Sequence, residues 1–238
     1  MNKLILSFAF FGILLSSCSR NRIDPSADVT SQTKSFTNFS KIDVSNAISV
    51  YVTFSETEES VIVVANDNLH EYIKIEKEGN ELEIRLKRNI NISGMATLKV
   101  YITTSYLSSI EASGASNVHF SNTYSSTNLN VDLSGASSFN ADLILDHLVV
   151  EGSGASNINL SGECSYLNSE LSGASSIEDY GFYVNEEVRT DLSGASSSKL
   201  TINGDIYVEA SGASSFYYKG IANIKSQKIS GASSIKQK

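Results

Sequence analysis

Ser134-Gly135-Ala136-Ser137-Ser138 is a motif the chain returns to again and again. Near-copies begin at Ser113, Ser134, Ser153, Ser172, Ser193, Ser211 and Ser230, at steps of 21, 19, 19, 21, 18 and 19 residues. That period is too short for a helix-pair repeat or a propeller blade. It suits one coil of a β-solenoid, each coil stacked on the last at roughly 4.8 Å. The flanks agree. Val131-Asp132-Leu133 precedes the second copy and Phe139-Asn140-Ala141 follows it; Val150-Glu151-Gly152 and Ile158-Asn159-Leu160 flank the third. Alternation on both sides means that one strand enters the motif and another leaves it. Glycine is the natural corner, since it accepts positive φ and lets neighbouring backbones approach closely. The bend is expected to turn Ala136 inward, and serines stacked coil on coil are expected to form a hydroxyl ladder.

Two registers follow from this alignment. Five positions after each first serine stand Val118, Phe139, Ile158, Ile177, Ser198, Phe216 and Ile235. This column is core, with a thin spot at Ser198. Two positions before each first serine stand Glu111, Asp132, Glu151, Glu170, Asp191, Glu209 and Lys228. Apolar or small neighbours flank them, so the column should face outward as a stack of carboxylates.

The chain has 238 residues, one proline, no tryptophan and a net charge of −8. Its Ser, Thr, Asn and β-branched residues are an all-β composition. With no basic cluster, nucleic acid and an anionic membrane surface are poor partners. Residues 1–17 read as a signal peptide: Lys3 supplies the basic start and Leu4 to Leu15 a short apolar run. Leu15-Ser16-Ser17-Cys18 looks like a bacterial lipobox, which implies cleavage before Cys18 and lipid attachment to it. Cys164 is then left without a partner and reads as a structural strand or turn residue. Residues 18–35 are polar and read as a lipidated flexible tether. The basic Ser19-Arg20-Asn21-Arg22 slightly favours the periplasmic face of an outer membrane.

Residues 36–105 read as N-terminal β coils and cap. Val44-Ser45-Asn46-Ala47-Ile48 is a worn copy of the motif. Gly79-Asn80, between two alternating runs, is a hairpin signal. Residues 106–238 carry the regular coils. The last coil has lysines at 219, 225, 228, 236 and 238. They either discourage edge pairing or belong to a homodimer interface at the open C-terminal coil.

These features together resemble the family called "putative auto-transporter adhesin, head GIN domain", common in lipoproteins of Bacteroidetes. The resemblance rests on the repeated Gly-Ala-Ser units, the Ile73 to Leu86 hairpin region and the Val100-Tyr101-Ile102 to Ile110-Glu111 approach, and covers roughly Phe36 to Ser234. It implies a right-handed parallel β-helix on the cell envelope and brings no catalytic residues with it.

Function reads as a non-catalytic envelope lipoprotein, either an adhesin or binding module for a glycan or protein, or a structural scaffold. The acidic column is either a solvated outer face or a site for Ca²⁺, other cations or a basic partner surface. Adjacent carboxylates at strand spacing repel by about 0.9 kcal/mol in water. A polysaccharide-acting enzyme needs acids and bases that converge; a straight ladder does not converge, and His70, His119 and His147 share no register. A serine nucleophile is needed once, with a base beside it, not seven times. Tyr180, Tyr183, Tyr217 and Tyr218 are candidate sugar-stacking residues or ordinary strand tyrosines.

Overall fold

The computed structural model describes residues 21–238; the signal peptide and Cys18 lie outside them. The chain is an all-β solenoid capped by a curled mixed sheet. Two walls meet at the motif. On one, Ser109–Ala112 is followed coil by coil by Tyr124–Leu133 and the C-terminal parts of Ser138–Gly152, Asn157–Leu171 and Ser176–Leu192, then Asp205–Ala210 and Asn223–Ile229. On the other, Asn117–Phe120 is followed by the starts of those long strands, then Ser197–Ile202, Ser215–Lys219 and Ser234–Gln237. All of these pairings are parallel, as a coil that repeats in one direction requires.

The motif is the corner. Gly135 has φ +71°, and Gly154, Gly173, Gly194, Gly212 and Gly231 are within a few degrees of it. Positive φ at the first central position only is the signature of a type II′ turn. In the first copy Gly114 and Ala115 are both positive, as in a type I′ turn. Stacked turns are joined by their backbones: the Ala155 N–H donates to the Gly135 carbonyl at 2.7 Å, and Ala174 to Gly154 at the same distance.

The inward alanine is corrected. Ala136 is exposed and Ser137 is 1% exposed. The turn leaves its two central residues, Gly and Ala, outside the corner, and the next residue opens the new wall with its side chain inward. Only a small side chain fits there, and a hydroxyl can satisfy itself locally. Ser137 Oγ donates to the Ser134 carbonyl at 2.8 Å, and Ser156 and Ser175 to the matching carbonyls at 2.7 Å. These serines close their own turns, whereas Ser196 and Ser214 donate to the Leu171 and Leu192 carbonyls of the coil before, and a hydroxyl-to-hydroxyl bond joins Ser214 to Ser233 at 3.3 Å, so the expected ladder is present only in the last coils. Cross-coil side-chain bonds also occur one position later, where Ser138 Oγ donates to Asn117 Oδ1 at 2.6 Å and Ser176 Oγ to Asn157 Oδ1 at 3.1 Å.

The core column is as read down to Phe216, while Ile235 in the last coil is only half-buried. Val118, Phe139, Ile158, Ile177 and Phe216 are fully buried, and so is Ser198 between Ile177 and Phe216. Ser198 Oγ has no hydrogen-bond partner. A buried unpaired hydroxyl costs about 1–3 kcal/mol, so Ser198→Val should raise the denaturation midpoint, with a gain of about 1 kcal/mol after repacking strain. A lower midpoint would mean that the site has no room for the added methyl groups.

The N-terminal region supplies the worn coil and the cap. Lys41–Val44 and Ser49–Phe54 pair in parallel with Ser109–Ala112 and Asn117–Phe120, which sets Asn46 beside Gly114. Beyond that coil the sheets become mixed. Ile73–Glu78 and Glu81–Leu86 form the expected hairpin, with Gly79 at φ +61°. Leu98–Thr104 is antiparallel to Ser60–Asn66. The flexible tether is corrected over its described residues: Asn21–Ile23 pairs with Ile90–Ile92, and Val29–Lys34 pairs antiparallel with Ser60–Asn66. Val29–Lys34 reads as tether because it is an edge strand, exposed along nearly its whole length, with no apolar face to bury.

Candidate functional site

The acidic column is brought together in strict register and is longer than the motif indicates. Glu111 pairs with Asp132, Asp132 with Glu151, Glu151 with Glu170, Glu170 with Asp191, and Asp191 with Glu209. On the N-terminal side Glu111 sits beside Asp43, and Asp43 beside Glu83. Each acid lies between two inward residues on its strand, such as Val131 and Leu133 around Asp132, so the pleat directs it outward. An open groove of about 590 Å³ runs beside the ladder, lined by Asp132, Glu151, Glu170 and Asp191 and by first serines of the motif. It continues past Glu209 to Lys228.

Counter-charge is confined to the two ends. Lys228 pairs with Glu209, which raises the lysine pKa. Arg85 lies 2.6 Å from Glu83 and 3.5 Å from Glu76. Between Asp43 and Asp191 no ion pair involves a ladder carboxylate among the described residues. Nor do three or more His, Cys, Asp or Glu side chains among them converge as metal ligands. The ladder supplies a line of charge rather than a Ca²⁺ cage, which needs six to eight oxygens around one point.

Asp43 was missed in the sequence although the signal was present: it stands two positions before Ser45 of the worn copy. Burial, and then the charges of Glu111, Glu81 and Glu83, push its carboxyl above the ordinary 3.8, with Arg85 pulling the other way. A raised folded pKa means that the folded chain keeps the proton to higher pH than the unfolded chain. Stability therefore falls as pH rises from the unfolded value through the folded one, and the penalty is complete above both. Asp43→Asn should stabilise the protein at neutral pH by roughly 1 kcal/mol or less, and the gain should vanish near about pH 3. Denaturant midpoints at the two pH values test this; an equal gain at both would show that the charge is not the cause.

The other candidates do not form a site. His147 stacks on Tyr166 at 4.8 Å, His119 meets Tyr51 edge-on at 6.0 Å, and His70 contacts Thr30 at 3.0 Å. Tyr218 belongs to the core, while lysines cover the rings of Tyr180 and Tyr217 at 4.4 and 5.0 Å. Tyr183 is exposed. Cys164 is 1% exposed in the column between Leu145 and Val184, and burial pushes its thiol up to about 12, so it is a packing residue with almost no thiolate.

A family model described as "Putative auto-transporter adhesin, head GIN domain" matches residues 38–222. Among solved structures, the chain is similar to a "putative adhesin" from Bacteroides fragilis NCTC 9343, with 22% identity, TM-score 0.82, and coverage of 90% of this chain and 99% of that one. A "putative adhesin" from Parabacteroides merdae ATCC 43184 has 17% identity and TM-score 0.70, over 91% and 98% of the two chains. A "Putative lipid binding protein" from Parabacteroides distasonis ATCC 8503 has 15% identity and TM-score 0.71, over 91% and 99%. At these identities the likeness is one of fold. No curated protein matches the chain.

Proposed function

We propose that this chain, which belongs to the "Putative auto-transporter adhesin, head GIN domain" family, is a non-catalytic binding module of the cell envelope. Cys18 would carry the lipid that holds it to the membrane, with the periplasmic face of the outer membrane favoured by the basic residues after it. The observation that supports the binding role best is the ladder. From Asp43 to Asp191 carboxylates occupy every coil of one wall in register, beside a groove from Asp132 onward, and none of them forms an ion pair among the described residues. A fold that merely needed solubility could scatter these charges; aligning them accumulates repulsion that a cationic partner would relieve. The partner that fits is an extended basic segment or basic strip of a protein, lying along the groove.

The experiment is capture from a detergent extract of the envelope by the mature chain, at low and at high salt. Capture that falls steeply between about 0.05 and 0.5 M salt supports the reading, because exposed charges a Debye length apart are screened over that range. Salt-independent capture would point to an uncharged partner such as a neutral glycan and would overturn the choice of the acidic face.

A further inference from the structure

The body of the protein takes hold of the chain just after the anchoring cysteine. Asn21–Ile23 pairs in parallel with Ile90–Ile92, Arg22 beside Asn91 and Ile23 beside Ile92. Ile23 and Ile92 pack against the main core, and the Ser93 N–H donates to the Ile23 carbonyl at 3.0 Å. The pleat of this two-stranded ribbon then turns Arg22 and Asn91 outward, and both are exposed. Cys18 stands three positions before Asn21, a span of about 10 Å at most in extended chain. A lipid on Cys18 would therefore hold one particular corner of the protein at the bilayer.

That corner is basic. Lys87, Arg88 and Asn89 lead directly into Ile90 and line an open hollow of about 400 Å³ together with Arg85 and Glu83. Glu83 is taken by Arg85 at 2.6 Å. Neither Lys87 nor Arg88 forms an ion pair among the described residues. Arg22 has Asp24 at 3.8 Å, with both side chains largely exposed, so water and salt leave little of that attraction. On the turn after the ribbon, Met95 is 99% exposed. The sequence holds no run of basic residues, but the fold gathers Arg22, Lys87 and Arg88 around the point of attachment, in a chain whose net charge is −8.

We propose that the ribbon and the Lys87-Arg88-Asn89 turn are a membrane-docking face, which lies on an anionic phospholipid surface with Arg22, Lys87 and Arg88 against headgroup phosphates and Met95 toward the acyl boundary. The inference rests on the reading of Cys18 as the lipid site and not on what the acidic ladder binds. A phospholipid surface is the occupant because the anchor keeps it within reach of this face at high effective concentration. The same surface repels the carboxylates from Glu111 onward, so the charge asymmetry stands the protein on its basic corner with the ladder turned away from the lipid.

The test couples the unlipidated mature chain through Cys18 to a maleimide phospholipid in vesicles. Cys164 does not compete, being buried with its thiol pushed up to about 12. The anchor is thus supplied chemically, and whether cells lipidate Cys18 is decided separately by the mass of the native protein. The chain has no tryptophan, so Met95→Trp, and Ile221→Trp at the other end of the solenoid, where Ile221 is 88% exposed, each introduce a single probe. With brominated phosphatidylcholine and phosphatidylglycerol, quenching should be several-fold stronger for Met95→Trp than for Ile221→Trp. Adding Lys87→Glu and Arg88→Glu, both on an exposed turn, should lower the docked-to-free ratio by about tenfold or more, since each cation at an anionic surface is worth roughly fivefold. Leaving out phosphatidylglycerol should have the same effect as the charge reversal. Equal quenching of the two probes, or quenching of Met95→Trp that survives the charge reversal, would overturn the proposal.

Discussion

Replacing Gly173 by alanine should destabilise the protein by about 3–4 kcal/mol. Two effects combine. Gly173 has φ +69°, and a non-glycine residue there costs about 1–2 kcal/mol in backbone strain. The added Cβ would also stand 2.4 Å from the Gly154 carbonyl oxygen of the coil beneath. That oxygen accepts the Ala174 N–H, so the turn must either separate from its neighbour or lose a buried-edge hydrogen bond worth about 1 kcal/mol, with the adjoining bonds weakened. The internal control is Gly79→Ala in the hairpin. Gly79 has nearly the same φ, +61°, but nothing within 4 Å of its would-be Cβ. It should lose only the strain, about 1 kcal/mol. Comparable losses at the two sites in chemical denaturation would show that coil-to-coil approach is not what demands glycine in the motif.

The second large effect lies in the core column. Phe139 is fully buried between Val118 and Ile158, with its ring edge-on to Phe120 at 5.0 Å. Phe120 in turn meets Tyr124 at 5.6 Å, and Phe54 stacks on Tyr124 at 4.0 Å, so the aromatic contact runs from the worn coil into the regular ones. Phe139→Ala should cost about 3–5 kcal/mol through lost burial and the cavity left behind. Solenoid stability is a sum over neighbouring coils, so amide exchange should accelerate most in the coils on either side of Phe139 and least near Phe216. Uniform acceleration along the chain would show that the solenoid unfolds as one unit.

The regular coils were legible because a fixed register maps chain distance directly onto neighbouring coils. Once the Gly-Ala-Ser corners were aligned, the inward column through Phe139 and the outward column through Glu151 followed from the two-residue pleat. Ala136 was misplaced because alternation breaks at a II′ corner, and only the geometry of the turn decides which side of the break faces in. Asp43 was marked by the worn copy's register, but the mixed sheet of the cap hides that it continues the ladder, since Asp43 and Glu111 are 68 positions apart, and Glu83 has no motif copy beside it at all. The edge strand Val29–Lys34 carries no periodic signal because neither of its faces is buried.

The most direct test of the acidic wall as the recognition face is a charge-matched comparison. One variant has Glu111, Asp132, Glu151, Glu170, Asp191 and Glu209 changed to their amides. The other loses the same number of charges at the exposed, off-ladder Glu56, Glu58, Glu59, Glu71, Glu78 and Glu186. Both are used to capture partners from the envelope extract beside the unmodified chain. Loss of capture by the ladder variant and retention by the control is the predicted result. Equal retention by both, or equal loss, would mean that the aligned carboxylates are a solvated surface or that net charge alone governs binding, and either would contradict the account.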